Sequence, residues 1–171
     1  MNNPIPGRVV TRTELEKNFK KEEIAALYNS LRIFPTPYKS IYYVPFETER
    51  KAYYVTDPYR IVFEATKKYL KKDDIYFGLS TAKYLQRKLW NPTEIHIITS
   101  TKSRKIICQK EPSKKYWRKN RRYEILKQYP YPIYLHRIKQ KNPQFVQKGS
   151  IAFATSKQIE KDMKSLKLNK N

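Results

Sequence analysis

Residue types that would indicate a specific chemistry are scarce in this chain of 171 residues. Cys108 is the only cysteine, so the chain can form neither an internal disulfide nor a cysteine-based metal site. It stands in an apolar run at 106–108, which favours a core position. The three glycines, Gly7, Gly78 and Gly149, fall in no phosphate-loop pattern. We therefore expect no cofactor and no metal ion.

Long hydrophobic segments are also missing. No apolar run approaches the roughly 18 residues that cross a membrane as a helix. The N-terminal sequence MNNPIPGR contains no hydrophobic core of a secretory signal. These two absences predict a cytoplasmic protein without a membrane partner.

Acidic residues are few relative to basic ones. The chain has 15 Asp and Glu against 37 Lys and Arg, a formal net charge of +22. Residues 1–94 hold 17 basic and 11 acidic residues, a net +6, whereas residues 95–171 hold 20 and 4, a net +16. A field of this size attracts polyanions. Nucleic acid is the first partner that it predicts, with acidic proteins and anionic membranes as the alternatives.

A lysine-rich surface typical of a thermophile-like protein is another explanation of this charge. Such surfaces are normally enriched in Glu as well as in Lys. Here basic residues outnumber acidic ones more than twofold, so the imbalance favours a role in binding polyanions.

Aromatic side chains are abundant, with 15 Tyr and seven Phe, and they supply bulk for a hydrophobic core. Periodicity and capping signals predict the positions of helices and strands. Helices are predicted over 11–19, 21–32 and 57–70, between Ser80 and Asn91, and after Ser156 with Ile159, Met163 and Leu166 facing inward. Strands are predicted over 40–44, 51–55, 75–79, 94–100, 104–108, 132–139 and 150–155. The resulting fold class is α/β (α+β), a mixed sheet with flanking helices.

The first 55 residues fit a small winged-helix-like module. The helix at 21–32 would be its recognition helix, and a hairpin formed by 40–44 and 51–55 would be its wing. Lys20, Lys21, Arg32 and Lys39 would then lie near phosphates. An amphipathic helix and a hairpin that simply pack on the main domain are an equally open interpretation.

The stretch 102–131 is the strongest candidate for contact with a polyanion. Basic side chains neutralise phosphates, and aromatic side chains stack on bases. The predicted binding residues here are Lys102, Arg104, Lys105, Lys114, Lys115, Trp117, Arg118, Lys119, Arg121 and Arg122. We predict a loop over 111–122. A solvated loop with Trp117 in the core, or a partner protein with an acidic face, would explain the same residues.

Two histidines, His96 and His136, are the only side chains that suggest metal-independent acid–base chemistry. They could act together only if their strands were adjacent, and we expect both to be ordinary strand residues. Asp73 and Asp74 are expected to be surface charges at a helix end. We therefore predict no catalytic residues and a protein that is not an enzyme.

Five segments resemble the AbiEi-type antitoxin family of toxin–antitoxin and phage-defence loci. They read YKSIYYVP, the helix from Asp57, YFGLSTAKYL, EIHIITSTKSRKI and GSIAFATSKQIEKDM. The resemblance covers roughly residues 8–165 and is sharpest over 53–106 and 133–163. It implies a winged-helix module over 1–55, which would bind operator DNA, and an AbiEi-like α/β domain over 56–171, which would counteract a nucleotidyltransferase toxin directly or functionally.

The expected function is that of a non-enzymatic, nucleic-acid-binding antitoxin or transcriptional regulator, with DNA preferred over RNA as its partner. A general DNA- or RNA-binding protein without a toxin partner is the first alternative. A metal-independent nuclease that uses His96 and His136 is the second.

Overall fold

A computed structural model describes residues 4–87, 92, 94–100, 105–109 and 121–168. The chain forms two compact units. The first unit comprises Met1–Lys71 and Gln109–Tyr129, and the second comprises Lys72–Cys108 and Pro130–Asn171. The boundary predicted after residue 55 falls inside the first unit, because the helix that follows it packs on the sheet of that unit.

The first unit contains three short strands and five helices among its described residues. Its elements are β1 (Val9–Thr11), α1 (Arg12–Leu15), α2 (Lys21–Asn29), β2 (Phe34–Pro35), β3 (Ile41–Tyr43), α3 (Glu47–Ala52), α4 (Pro58–Leu70) and α6 (Arg121–Leu126). The strands form an antiparallel sheet in the order β1-β3-β2. Its hydrophobic cluster is formed by Leu15, Ile24, Leu27, Ile33 and Val44.

Local signals predicted the starts of three of these helices correctly, but the helix predicted over 11–19 ends at Leu15. Thr11 caps α1 through a reciprocal pair of hydrogen bonds with Glu14. Helix α2 begins at Lys21 as predicted, but it ends at Asn29, and Leu31 adopts a left-handed conformation with φ of 55°. The side chain of Asp57 accepts a hydrogen bond from the amide of Arg60 and starts α4, which ends at Leu70 as predicted.

The predicted strand at 51–55 is wrong, because this region is the end of α3 and the turn that follows it. The cause is Glu49, which is only 2% exposed. Its carboxylate accepts hydrogen bonds from the hydroxyl of Tyr43 at 2.6 Å, from the amide of Phe46 at 3.0 Å, and from both the amide and the hydroxyl of Thr56. A buried carboxylate with four donors holds the segment as a helix. The hairpin in this part of the chain is formed by β2 and β3, not by 40–44 and 51–55.

The second unit is built on a six-stranded mixed sheet with two helices in its described part. Its elements are β4 (Ile75–Phe77), α5 (Leu79–Arg87), β5 (Ile95–Thr99), β6 (Lys105–Ile107), β7 (Ile133–Arg137), β8 (Phe145–Lys148), β9 (Ile151–Ala154) and α7 (Ser156–Leu168). The strand order is β6-β7-β5-β4-β9-β8. Strands β5 and β7 are parallel, as are β4 and β9, and the other pairs are antiparallel. The predicted α/β class with a mixed sheet is confirmed.

The order of the strands in the sheet differs from their order along the sequence. The segments 94–100 and 104–108 do not pair with each other, because β7 lies between them. Ile95 and Ile97 of β5 pair with Ile133 and Leu135 of β7, and all four are buried. A central strand buried in this way gains more from an apolar neighbour than from the exposed, partly charged β6.

Three smaller predictions in the second unit are corrected. Cys108 is exposed instead of buried, because it follows the edge strand β6. Met163 is 40% exposed, and its inward position on α7 is taken by Asp162, which is fully buried. The amide of Gln158 donates to the hydroxyl of Thr155, so Thr155 caps α7 rather than Ser156.

No helix in the described part of the chain is long and apolar enough to cross a membrane.

Candidate nucleic-acid interface

Two arginines at the start of α6 stack on tyrosines of the first unit. The guanidinium of Arg121 lies 4.2 Å from the ring centroid of Tyr53, and that of Arg122 lies 4.7 Å from the ring centroid of Tyr28. Arg122 also donates to Oδ1 of Asn29 at 3.3 Å. Stacking holds the face of a guanidinium while its N–H groups stay at the edge, where phosphates bind. The two arginines are thus oriented for contact with an anion.

Helix α6 is attached to the N-terminal elements by buried side chains. Tyr123 and Ile125 are buried. The side chain of Gln128 accepts from the amide of Val55 and donates to the carbonyl of Tyr53, both at 2.7 Å. Tyr129 donates to the carbonyl of Pro35. The prediction of a loop as far as Arg122 is wrong for the last two residues, since Arg121 begins the helix.

The solvent face of α2 has a mixed charge. Lys20 and Lys21 are exposed at its N-terminus, and so are Glu22 and Glu23. The carboxylate of Glu23 accepts a hydrogen bond from the amide of Lys20 at 2.7 Å. Acids at a helix N-terminus stabilise the helix, but here they offset the two lysines. The positive charge beside α2 therefore comes mainly from residues that flank it.

Arg32 and Lys39 are both exposed on the first unit. Arg32 lines a shallow groove of about 370 Å³ together with Arg50, and Glu47 also reaches this groove. Lys39 stands in the turn between β2 and β3. Thr36 braces this turn, because its hydroxyl accepts from the amide of Tyr38 and donates to the carbonyl of Ile41. Lys39 is thus presented by a turn with internal hydrogen bonds.

Three of the ten predicted binding residues in 102–131 fall within the described part of the chain. Lys102, Arg104, Lys114, Lys115, Trp117, Arg118 and Lys119 lie outside the described residues. Lys105 is exposed on β6 of the second unit, whereas Arg121 and Arg122 belong to the first unit. The structure therefore divides this basic stretch between the two units.

Several charges of the first unit are used within it. Arg60 donates to the carbonyl of Gly7 and to Glu64, and Lys68 pairs with Glu14. Burial acts to raise the pKa of Glu49, but hydrogen bonds from Thr56, from Tyr43 and from the Phe46 amide more than offset it, so the pKa lies below its ordinary value. These groups are thus engaged in contacts within the first unit.

The two histidines of the second unit are brought together by strand pairing. Strands β5 and β7 are parallel neighbours, and His96 is opposite Tyr134 while Ile98 is opposite His136. Nδ1 of His96 lies 2.8 Å from Nε2 of His136, and Nε2 of His96 lies 2.8 Å from Oε1 of Glu94. Tyr134 stacks on His96 with 5.0 Å between ring centroids. The expectation of two unrelated strand residues missed this contact, because it depends on which strands pair.

A buried acid, Asp162, lies on the inward face of α7 in the same unit. Oδ1 of Asp162 accepts hydrogen bonds from the hydroxyl of Tyr76 and from the side-chain amides of Gln140 and Gln158. Its second oxygen, Oδ2, is buried and has no hydrogen-bond partner within the part of the chain that the structure describes. Burial raises the pKa of Asp162 above its ordinary value, against the lowering effect of these donors. The i, i+4 spacing of Gln158 and Asp162 was the one sequence signal for this polar face.

Within the described residues, no group of three or more His, Cys, Asp or Glu side chains is arranged to hold a metal ion. Glu94, His96 and His136 are linked by hydrogen bonds, and the two ring nitrogens of His96 face the side chains of Glu94 and His136.

No protein-family model matches this chain, and neither a curated protein nor a solved structure matches it.

Proposed function

We propose that this protein is a nucleic-acid-binding regulator of the antitoxin type, and that its first unit contacts DNA. The observation that carries the proposal is the order of elements in that unit. Helices α1 and α2 lie between β1 and the hairpin of β2 and β3, on an antiparallel sheet ordered β1-β3-β2. This order fits a winged-helix module in which α2 would enter the major groove and the β2–β3 turn, with Lys39, would be the wing.

The stacked arginines support the same assignment. Arg122 rests on Tyr28 and bonds to Asn29, both near the C-terminal end of α2. Arg121 rests on Tyr53. The helix that carries them comes from a distant part of the chain and adds two oriented cations beside α2. With a net charge of +22 on the chain, phosphate contacts would supply most of the affinity.

The antitoxin part of the proposal rests on the family resemblance. In that reading the protein acts without catalysis, represses its own operon, and counteracts a nucleotidyltransferase toxin either directly or functionally. A general DNA- or RNA-binding protein without a toxin is the alternative. Growth of cells that express a nucleotidyltransferase encoded beside this protein separates the two, because only an antitoxin would restore growth.

Nucleic-acid binding is tested by fluorescence anisotropy with labelled duplex DNA, the matching single strand, and RNA of the same sequence. We expect duplex DNA to bind most tightly. We also expect the logarithm of affinity to fall linearly with the logarithm of salt concentration, by about 0.9 for each phosphate contact on a duplex. A flat salt response, or no binding at low salt, would refute the proposal.

A further inference from the structure

A groove of about 320 Å³ lies between helices α5 and α7 of the second unit. Part of its lining is apolar, because Ile159 and Met163 of α7 and the ring of Tyr84 of α5 reach it. Ile159 is buried, whereas Met163 is 40% exposed. The flexible, polarizable side chain of a methionine can pack against partners of different shapes. The groove thus offers an adaptable apolar surface to another molecule.

The two walls of the groove are joined by Gln86 of α5. Its side-chain amide donates a hydrogen bond to the carbonyl of Ala154, and its side-chain oxygen accepts one from the hydroxyl of Ser156 at 3.2 Å. These bonds connect the end of α5 to the end of β9 and to the first residue of α7. A groove held in this way is formed before a partner binds, which lowers the entropic cost of binding.

Basic side chains flank the groove on both helices. Lys83 and Arg87 of α5 are exposed and belong to its lining. On α7, three exposed lysines follow one another at i, i+4 and i+7, namely Lys157, Lys161 and Lys164. Side chains at this spacing form one stripe along a helix. At 3.6 residues per turn, this lysine stripe lies next to the face of α7 that lines the groove.

The exposed charge around the groove is strongly one-sided. Among the described side chains of the two helices, five basic residues are exposed and Glu160 is the single exposed acid. Such a field attracts a partner of negative charge and disfavours a basic one. Phosphate contacts need cations but no apolar lining, whereas the apolar face of a helix needs a groove of this kind. The combination therefore favours an acidic protein segment over a nucleic acid.

We propose that the groove between α5 and α7 is a docking site for an acidic amphipathic helix of a partner protein. Apolar side chains one turn apart on the partner lie against Ile159 and Met163. Its acidic side chains meet Lys83 and Arg87 on one side and the lysine stripe of α7 on the other. This inference concerns a protein partner of the second unit, and it does not depend on DNA binding by the first.

The probe is a fluorescein-labelled synthetic peptide of about 16 residues, built from Glu, Ala and Leu, with its leucines on one face of a helix. The reference peptide has the same composition but its leucines are spread over all faces. Because the two peptides have equal charge, general attraction to a chain of net charge +22 is the same for both. Anisotropy with the full chain should show the patterned peptide binding about tenfold more tightly, a factor that burial of one leucine supplies.

The double variant Lys83→Gln and Arg87→Gln should weaken binding of the patterned peptide about tenfold at low salt. Lys141→Gln with Lys148→Gln is the matched control, since it removes the same charge from exposed positions outside the groove. It should weaken binding by less than about twofold. Met163→Glu places an acid in the groove and should remove the preference for the patterned peptide. All these positions are exposed, and unfolding midpoints establish that the variants are folded.

Equal affinity of the native chain for the two peptides, or equal losses in the two double variants, would overturn this inference. Affinity for duplex DNA that falls as much as peptide affinity when Lys83 and Arg87 are replaced would assign the groove to nucleic acid, and would overturn it too. Absence of DNA binding by the native chain would instead refute the proposed function and leave the peptide result unaffected.

Discussion

Among the described residues, each unit buries one carboxylate, and the two carboxylates respond to burial in opposite ways. Glu49 of the first unit meets four hydrogen-bond donors spread over both of its oxygens, and its pKa lies below the ordinary value. Asp162 of the second unit receives its donors on one oxygen only, the other being buried without a partner among the described residues, and its pKa is raised. Burial alone does not set the charge state of a group, because the number and placement of donors decide it.

The same contrast extends to other charged and polar side chains of the two units. The first unit uses cations at its surface, held by tyrosine rings or by ion pairs such as Arg12–Glu16. The second unit places ionisable groups on one face of its sheet, where His96 and His136 bond to each other. Surface cations suit the binding of a polyanion, and their effect is screened by salt.

The largest expected effect is that of Glu49→Ala. It would leave the hydroxyl of Tyr43 and the amides of Phe46 and Thr56 without their acceptor, and each buried unsatisfied donor costs about 1–3 kcal/mol. We expect the free energy of unfolding in urea to fall by about 3–5 kcal/mol. Glu47→Ala on the same helix, which removes only an exposed ion pair with Lys51, should change it by less than about 0.5 kcal/mol. Similar losses in both variants would contradict a structural role for the buried carboxylate.

Gly78→Ala tests the close packing on the sheet of the second unit. An added Cβ would lie 2.6 Å from Cγ1 and 2.9 Å from Cδ1 of Ile98, so the sheet must shift, at a cost of about 1–3 kcal/mol. Gly149→Asn is the control, because nothing lies within 4 Å of a Cβ at Gly149 and Asn tolerates its positive φ. Thermal unfolding should show a clear loss only for the first variant; an unchanged midpoint for Gly78→Ala would show that Ile98 adapts freely.

Replacement of Arg121 and Arg122 by Gln should weaken DNA binding about tenfold or more at low salt and reduce the salt slope by about two. The double Lys variant keeps the charge but loses the planar stack, and it should recover part of the affinity. Lys127→Gln removes a cation of the same segment that already pairs with Glu124, and anisotropy should show little change. Equal affinity for the native and the double Gln proteins would place the interface elsewhere.

The smallest expected effect is a change in the free energy of unfolding with pH. Its direction should be opposite for Asp162 and Glu49. Because the pKa of Asp162 is raised by folding, the folded state holds its proton more tightly, and the stability that this contributes at low pH is lost as pH rises through the folded pKa. For Glu49, whose pKa is lowered, stability is present above the unfolded pKa and is lost as pH falls.

Asp162→Asn should therefore become more stable relative to the native chain as pH rises from the acidic range to neutrality. Urea unfolding at several pH values measures this difference, and Glu160→Gln, at an exposed site, serves as the control. A difference that stays constant with pH would show that Asp162 titrates in the folded state as it does in the unfolded chain.

Much of the local structure could be predicted from adjacent residues. The capping residues Thr11 and Asp57 fixed the starts of α1 and α4, since a helix N-terminus needs an acceptor for its free amides. Alternation and β-branched residues located β5 and β7. The segment 51–55 was mistaken for a strand because its two tyrosines and valine favour strands, while the buried contacts of Glu49 favour a helix.

The sequence by itself determined the α/β class, the starts of three helices in the first unit, and the excess of positive charge, because each depends on composition or on residues within a few positions of one another. Only the tertiary structure decided that β7 separates β5 from β6, that Arg121 and Arg122 rest on Tyr53 and Tyr28, and that His96 meets His136. These contacts join residues from 26 positions apart, for Ile107 and Ile133, to 94 positions apart, for Tyr28 and Arg122. Their partners are selected by the burial of apolar strands and rings across the whole core, and no local pattern records that selection.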